Sequence, residues 1–317
     1  MEKSTVWKLA GTAAGLGALG GIAALGNLLY NTAIAPNPRT EPSPANRWPA
    51  IQEGRAWIQT QAEVRSVTLT SADGLSLWAA HVPACTDTPR WAICMHGYRD
   101  THADMGAIAK HYHELGWNVL MPDERGHGLS GGNYVGWGYD ERLDVLIWIR
   151  YITRRDPNAV IVLHGVSMGS AAILLASGGP LPGAVKAIIS DCAYTDIESE
   201  MKHVLDHRVR KALSIPITLP FSVIFSALRR ITLHRAGYDL RDVTPLRAVE
   251  HSVTPTLFVH GTEDAVVPPE MLDRLYQAAG CPKAVLRIAG ANHTESCGAD
   301  PDRYWAAAEQ FLSRFCP

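Results

Sequence analysis

Cysteine is scarce in this chain. Six residues (Cys85, Cys94, Cys192, Cys281, Cys297 and Cys316) in a length of 317 are too few for a disulfide scaffold. None forms C-x-x-C, which disfavours a zinc ribbon or a thioredoxin-like site. An even count still allows one bridge, and Cys281, Cys297 and Cys316 lie together in the C-terminal stretch. Charge of one sign is also missing. Lys plus Arg is 29 against 31 for Asp plus Glu, a net charge of −2. With no basic run either, nucleic acid is excluded as a main partner. There is no internal repeat, and no G-x-G-x-x-G follows a first strand, so hydride transfer is disfavoured. His111-Tyr112-His113 has no carboxylate cluster beside it in sequence and reads as a helix surface, so no metal is expected.

What is present is apolar. Hydrophobic residues make up 47% of the chain and charged residues 19%, which rules out a disordered or fibrous protein. Length alone suggests roughly two domains. Leu9 to Tyr30 is a run of 22 residues without a charge, and about 20 suffice to cross a bilayer. Lys3 and Lys8 precede it, so the expectation is a cytosolic N-terminus over residues 1–8 and an anchor or signal segment over 9–30. Tyr30 then sits at the membrane interface, and the chain that follows lies outside the cytoplasm. Gly11/Gly15 and Gly17/Gly21 fit the small-xxx-small spacing of packed membrane helices. Two other readings compete. Ala33-Ile34-Ala35 resembles a signal-peptidase site, although Pro36 follows it. A soluble helix is the third reading, and six glycines in the run weaken it. Pro36, Pro38, Pro42, Pro44 and Pro49 read as an extended spacer over residues 31–50.

From residue 51 to 317 the pattern alternates strands and helices. Val64–Thr70 and Leu75–Val82 alternate apolar and polar around Asp73-Gly74, a hairpin signature. Trp91–Met95, Trp117–Met121, Ala159–Leu163, Val185–Ile189, Thr256–Val259 and Ala284–Ile288 are short continuous apolar runs. Such runs suit strands covered on both faces. Helical patterns separate most of them, at Asp140–Arg150, Ser167–Ala176, Pro269–Ala279 and Arg303–Phe315. This predicts one α/β domain with a mainly parallel sheet. The stretch at about 195–250 has helical patterning but no strand, and reads as a small cap. Phe221, Ile224 and Phe225 share one helix face there. They either line a substrate pocket or pack cap on core.

G-x-S-x-G marks a sharp strand-to-helix turn that exposes a serine hydroxyl. It occurs at Gly165-Val166-Ser167-Met168-Gly169 and at Gly128-Leu129-Ser130-Gly131-Gly132. Only the first lies between an apolar strand and a helix, so Ser167 is the candidate nucleophile. A serine hydroxyl needs a base, and the base needs an orienting carboxylate. In the chain order serine, acid, histidine, Asp264 after one strand and His293 after the last fit these roles. Glu263 and Asp191 are rival acids. His96, His164 and His260 precede glycines at strand ends and read as structural. The oxyanion donors are the backbone N–H groups of Met168 and Tyr98.

These motifs resemble the α/β-hydrolase superfamily. They are His96-Gly97-Tyr98, Arg125-Gly126-His127-Gly128-Leu129-Ser130, the Ser167 pentapeptide, His260-Gly261-Thr262-Glu263-Asp264 and Ala291-Asn292-His293. Glu141-Arg142-Leu143-Asp144 and Asp191-Cys192-Ala193-Tyr194 look like a bacterial subgroup with an N-terminal hydrophobic segment. The resemblance implies eight strands with the second antiparallel, a cap after the sixth, and no cofactor. It implies hydrolysis of an ester, thioester or amide in a small-molecule or lipid-like acyl substrate. It does not name the substrate.

Overall fold

The computed structural model describes residues 21–39, 41, 43–60, 63–213 and 221–316. Eight strands form one sheet in the order β1-β2-β4-β3-β5-β6-β7-β8. They are β1 (Arg65–Thr70), β2 (Ser76–Val82), β3 (Arg90–Met95), β4 (Asn118–Pro122), β5 (Val160–Val166), β6 (Val185–Asp191), β7 (Thr256–Gly261) and β8 (Lys283–Ile288). β2 runs antiparallel to both β1 and β4, and every other pairing is parallel.

The apolar runs explain the layers. Successive side chains of a strand point to opposite faces. In β3, Ala92 and Cys94 enter one core while Trp91, Ile93 and Met95 enter the other. β5 divides in the same way, with Val162 and Val166 on one side and Ile161 and Leu163 on the other. One face is covered by α1 (Pro49–Thr60), α2 (Gly106–Glu114) and a C-terminal helix, Pro301–Leu312. The other is covered by α3 (Glu141–Arg155), α4 (Met168–Ser177) and a helix at Glu270–Ala278. β5, β6 and β7 run further than the apolar pattern predicts, β7 as far as Gly261. β5 and β6 continue to Val166 and Asp191 because polar but buried His164, Ser190 and Asp191 still pair across the sheet.

Between β6 and β7 lie α5 (Ile197–Leu213), α6 (Phe221–Ala236) and α7 (Pro245–His251). α7 packs on α4 and on the helix Glu270–Ala278, so it belongs to the main helical layer. The cap is therefore α5 and α6, narrower than 195–250.

The N-terminal part departs most from expectation. Residues 9–20 of the apolar run lie outside the described residues. Among the described residues no helix is long and apolar enough to cross a membrane. Residues 21–29 are helical and approach α6 closely, since a Cβ on Gly26 would meet that of Ala227 at 3.0 Å. Tyr30 is buried and lies under the Arg235 guanidinium, 5.0 Å from its ring centre, rather than facing lipid headgroups. The expected spacer is packed too. Ile34 is fully buried, Pro44–Arg47 forms a helical turn, and α1 follows directly. Burial of Tyr30, Ile34 and Ala45 favours this docked course over a free one. The first two join Phe225, Leu228, Tyr194 and Tyr238 in a third apolar cluster.

Candidate active site

The candidate residues lie on loops at the carboxyl ends of the parallel strands, the edge where open α/β sheets bind ligands. β5 delivers Ser167, which opens directly into α4. Its backbone is strained, with φ +53° and ψ −114°. Such conformations are rare for a residue with a Cβ. The turn closes because small residues flank it: a Cβ on Gly169 would stand 2.4 Å from the Met95 carbonyl oxygen. The Ser167 N–H donates to the Asp191 carbonyl at 2.8 Å, tying the turn to β6.

Ser167 Oγ lies 2.9 Å from His293 Nε2, and His293 Nδ1 lies 2.8 Å from Asp264 Oδ2. The carboxylate fixes the proton on Nδ1 and leaves Nε2 to accept from the serine. Asp264 Oδ1 accepts from the N–H groups of Val266 and Val267, each at 2.9 Å. Burial alone would raise the Asp264 pKa, but His293, His260 and the bonds from both hold it well below the usual carboxylate range. The acid stays charged, as an orienting acid must.

Asp191 does not reach His293 through any hydrogen bond of the structure. It accepts from Ser296 Oγ at 2.9 Å, and burial pushes its pKa up to about 6. Glu263 is exposed. Of the three acids, Asp264 is the one bonded to the histidine.

His260 was expected to be structural only. Its Nε2 lies 3.2 Å from Asp264 Oδ2 and 3.0 Å from the Val267 carbonyl oxygen, so it backs the acid from behind. The signal was its position four residues before Asp264. His96 and His164 are structural. His96 Nε2 accepts from the Glu124 N–H, and His164 bridges Tyr112 and Tyr304. Ser130, in the second G-x-S-x-G, is held in a loop. Its Oγ accepts from the Trp78 N–H at 2.8 Å and donates to the Asp123 carbonyl at 2.6 Å.

The sequence offers Arg125 within a motif but no role for it. Buried beside α3, it makes two bonds to Asp144, both at 2.8 Å, and further contacts to Asp73. The Arg-Gly-His and Glu-Arg-Leu-Asp motifs are thereby joined in space. His111 stacks on Trp305 and bonds Glu309, so it does meet a carboxylate, from a distant helix.

The loop after β3 sits beside Ser167: a Cβ on Gly97 would lie 3.4 Å from that of Ser167. Tyr98 is the next residue of this loop. Met168 opens α4, and the first N–H groups of a helix have no intrahelical acceptor. Phe225 is 1% exposed and fills the third cluster, while Phe221 stacks on it with ring centres 5.5 Å apart. Both pack in or against the third apolar cluster. A cavity of about 490 Å³ lies between α1, α2 and the helix Pro301–Leu312 and touches none of Ser167, His293 and Asp264.

Among the described residues one group could converge on a metal: Cys192, Asp264 and His293, with ligand atoms within 4.8 Å of one another. The fit is poor. Burial and two nearby carboxylates push the Cys192 thiol well above its ordinary pKa, whereas a ligand must be thiolate. Both His293 nitrogens are already engaged. All six cysteines are free thiols, five of them buried.

Comparison with known proteins agrees with this fold. The family model described as serine aminopeptidase, S33, matches residues 87–221. An uncharacterized Bacillus subtilis protein, YqkD, is 29% identical over 255 residues, covering 80% of each chain. The esterase Pf2001 of Pyrococcus furiosus superimposes with a TM-score of 0.65 at 18% identity, over 90% of this chain and 98% of that one. An acylaminoacyl peptidase of Pyrococcus horikoshii gives 0.57 at 17% identity, over 82% of this chain and 43% of the peptidase. Sheet order and these likenesses together show that the chain has the α/β-hydrolase fold.

Proposed function

We propose that the chain is a serine hydrolase that cleaves an ester-type acyl bond. The observation that carries this reading is the continuous line from Ser167 through His293 to Asp264, at 2.9 and 2.8 Å. Ser167 Oγ attacks the acyl carbonyl while His293 Nε2 takes its proton. Asp264 orients the imidazole and stabilises its cation. The oxyanion is received by the N–H groups of Met168 and Tyr98, donors of a kind worth about 3–4 kcal/mol in the transition state. His293 then protonates the leaving alkoxide, and the alcohol departs. Water, deprotonated by His293, attacks the acyl-enzyme and releases the acid and free Ser167.

An esterase and a peptidase both share the fold, so the leaving group is the open variable. A fluorophosphonate probe followed by peptide mapping tests the nucleophile: Ser167 carries the label, and Ser167→Ala does not react. A series of p-nitrophenyl esters of increasing chain length, run beside amino-acid p-nitroanilides, separates esterase from peptidase. Folded protein that leaves the probe unreacted would falsify the hydrolase reading and favour a binding role.

A membrane tether rests on the apolar run preceding Gly21 alone. Retention in the pellet after carbonate extraction supports it, and release into the supernatant overturns it.

A further inference from the structure

The segment from Thr32 to Arg39 crosses the domain beside the candidate site, and three consecutive residues of the loop after β3 grip it. Tyr98 OH donates to the Thr32 carbonyl at 2.8 Å. Arg99 donates through Nε to the Asn37 carbonyl at 2.8 Å and through Nη2 to that of Pro38 at 3.4 Å. Asp100, almost fully buried, has Arg39 Nη2 at 2.9 Å, close in distance but off the hydrogen-bond line. Two more bonds flank these. Trp137 Nε1 donates to the Ala33 carbonyl at 3.0 Å, and the Val135 N–H donates to that of Ile34 at 2.7 Å. Trp137 also stacks on Tyr98, with ring centres 4.6 Å apart.

The loop needs such support. Arg99 has φ +66°, a strained value for arginine. Its own N–H donates to His127 Nε2 at 3.0 Å, and the Asp100 N–H closes a turn onto the Gly97 carbonyl at 3.1 Å. The strap adds a grip on each of the three side chains. This is the loop that carries Tyr98, whose N–H the proposed function assigns to the oxyanion.

We propose that residues 32–39 form a positioning strap: their main-chain carbonyls and Arg39 hold the 97–100 loop so that the Tyr98 N–H faces the developing oxyanion. The inference rests on the serine-hydrolase reading. Tyr98 OH, Arg99 and Arg39 are positioning groups, since they act through the loop and touch no reacting atom. A donor that is loosened rather than lost weakens the transition state more than substrate binding.

The test uses the full chain, p-nitrophenyl acetate turnover and the rate of fluorophosphonate labelling. Tyr98→Phe removes only the hydroxyl, and Arg39→Gln removes the guanidinium with its charge. Each is expected to lower kcat and the labelling rate about tenfold with KM unchanged within about twofold. Arg39→Lys restores most of the rate. Thr32→Ala removes a hydroxyl that, among the described residues, bonds the Leu28 and Leu29 carbonyls, and it keeps the accepting carbonyl, so its rate equals that of wild type. Melting temperatures are read alongside, and the Tyr98→Phe variant guards against loss of fold in the others. Unchanged kcat in both Tyr98→Phe and Arg39→Gln overturns the strap. So does a rise in KM at constant kcat, which makes these groups substrate contacts. A wild-type protein that the probe does not label overturns the hydrolase reading, and the strap's role falls with it.

Discussion

The nucleophile turn and the N-terminal strap meet at one loop but are built on opposite principles. At the turn, side-chain identity is everything: Ser167, His293 and Asp264 are joined by side-chain atoms alone. In the strap, five backbone carbonyls accept the bonds, from Thr32, Ala33, Ile34, Asn37 and Pro38. Every residue type supplies a carbonyl. The first region is therefore written in residue letters, and the second is written in the course of the chain. A motif search finds the one and passes over the other.

The sharpest way to break this contrast is at the turn. Ser167→Ala should lower p-nitrophenyl ester turnover by at least about 10⁴-fold, with no fall in melting temperature. Asp264→Asn should follow with a loss of about 10³–10⁴-fold, since His293 loses its orienting anion while the Val266 and Val267 N–H groups keep an acceptor. Arg125 extends the same principle to stability. Arg125→Met strands Asp144 beneath α3, and urea denaturation should show a loss of about 3–5 kcal/mol. A loss under about 1 kcal/mol would show the pair to be dispensable.

Asp191 gives a pH-dependent arm. Burial raises its pKa to about 6, so the folded state binds its proton more tightly than the unfolded chain does. Its favourable contribution is complete below the unfolded value, near 4, and is lost as pH rises through about 6. Asp191→Asn lacks that loss. Its melting temperature should exceed that of wild type by about 3–6 °C at pH 8 and match it near pH 4. A constant difference across that range removes the titration argument. The smallest effect belongs to the strap. Pro38→Ala keeps its carbonyl and should change stability by no more than about 0.5 kcal/mol.

The same contrast explains which parts of the molecule were legible. The strands of the parallel sheet were visible because burial on both faces leaves unbroken apolar runs, as at Trp91–Met95 and Val185–Ile189. Ser167, Asp264 and His293 were visible because each lies just past such a run, in a fixed order. The structure joins them through two hydrogen bonds. α1 was missed although Pro49 opens it and Ile51, Gly54 and Ile58 mark its buried side, a helical signal hidden at the end of a proline-rich stretch. The docking of Tyr30 and Ile34 was not legible. Apolar residues in a long apolar run read the same whether lipid or protein covers them. Arg125 was illegible for another reason: its partners Asp73 and Asp144 lie far from it in sequence, and only the fold brings them near.

The backbone at Ser167 has a consequence of its own. Any side chain held at φ +53° carries a conformational penalty of about 1–3 kcal/mol, whether or not it reacts. Glycine alone escapes it. Ser167→Gly should thus yield a protein without chemistry that melts higher than the competent one. Drift at this codon toward a sturdier fold runs directly away from the reaction, and a descendant that kept only a binding role would be free to take that step.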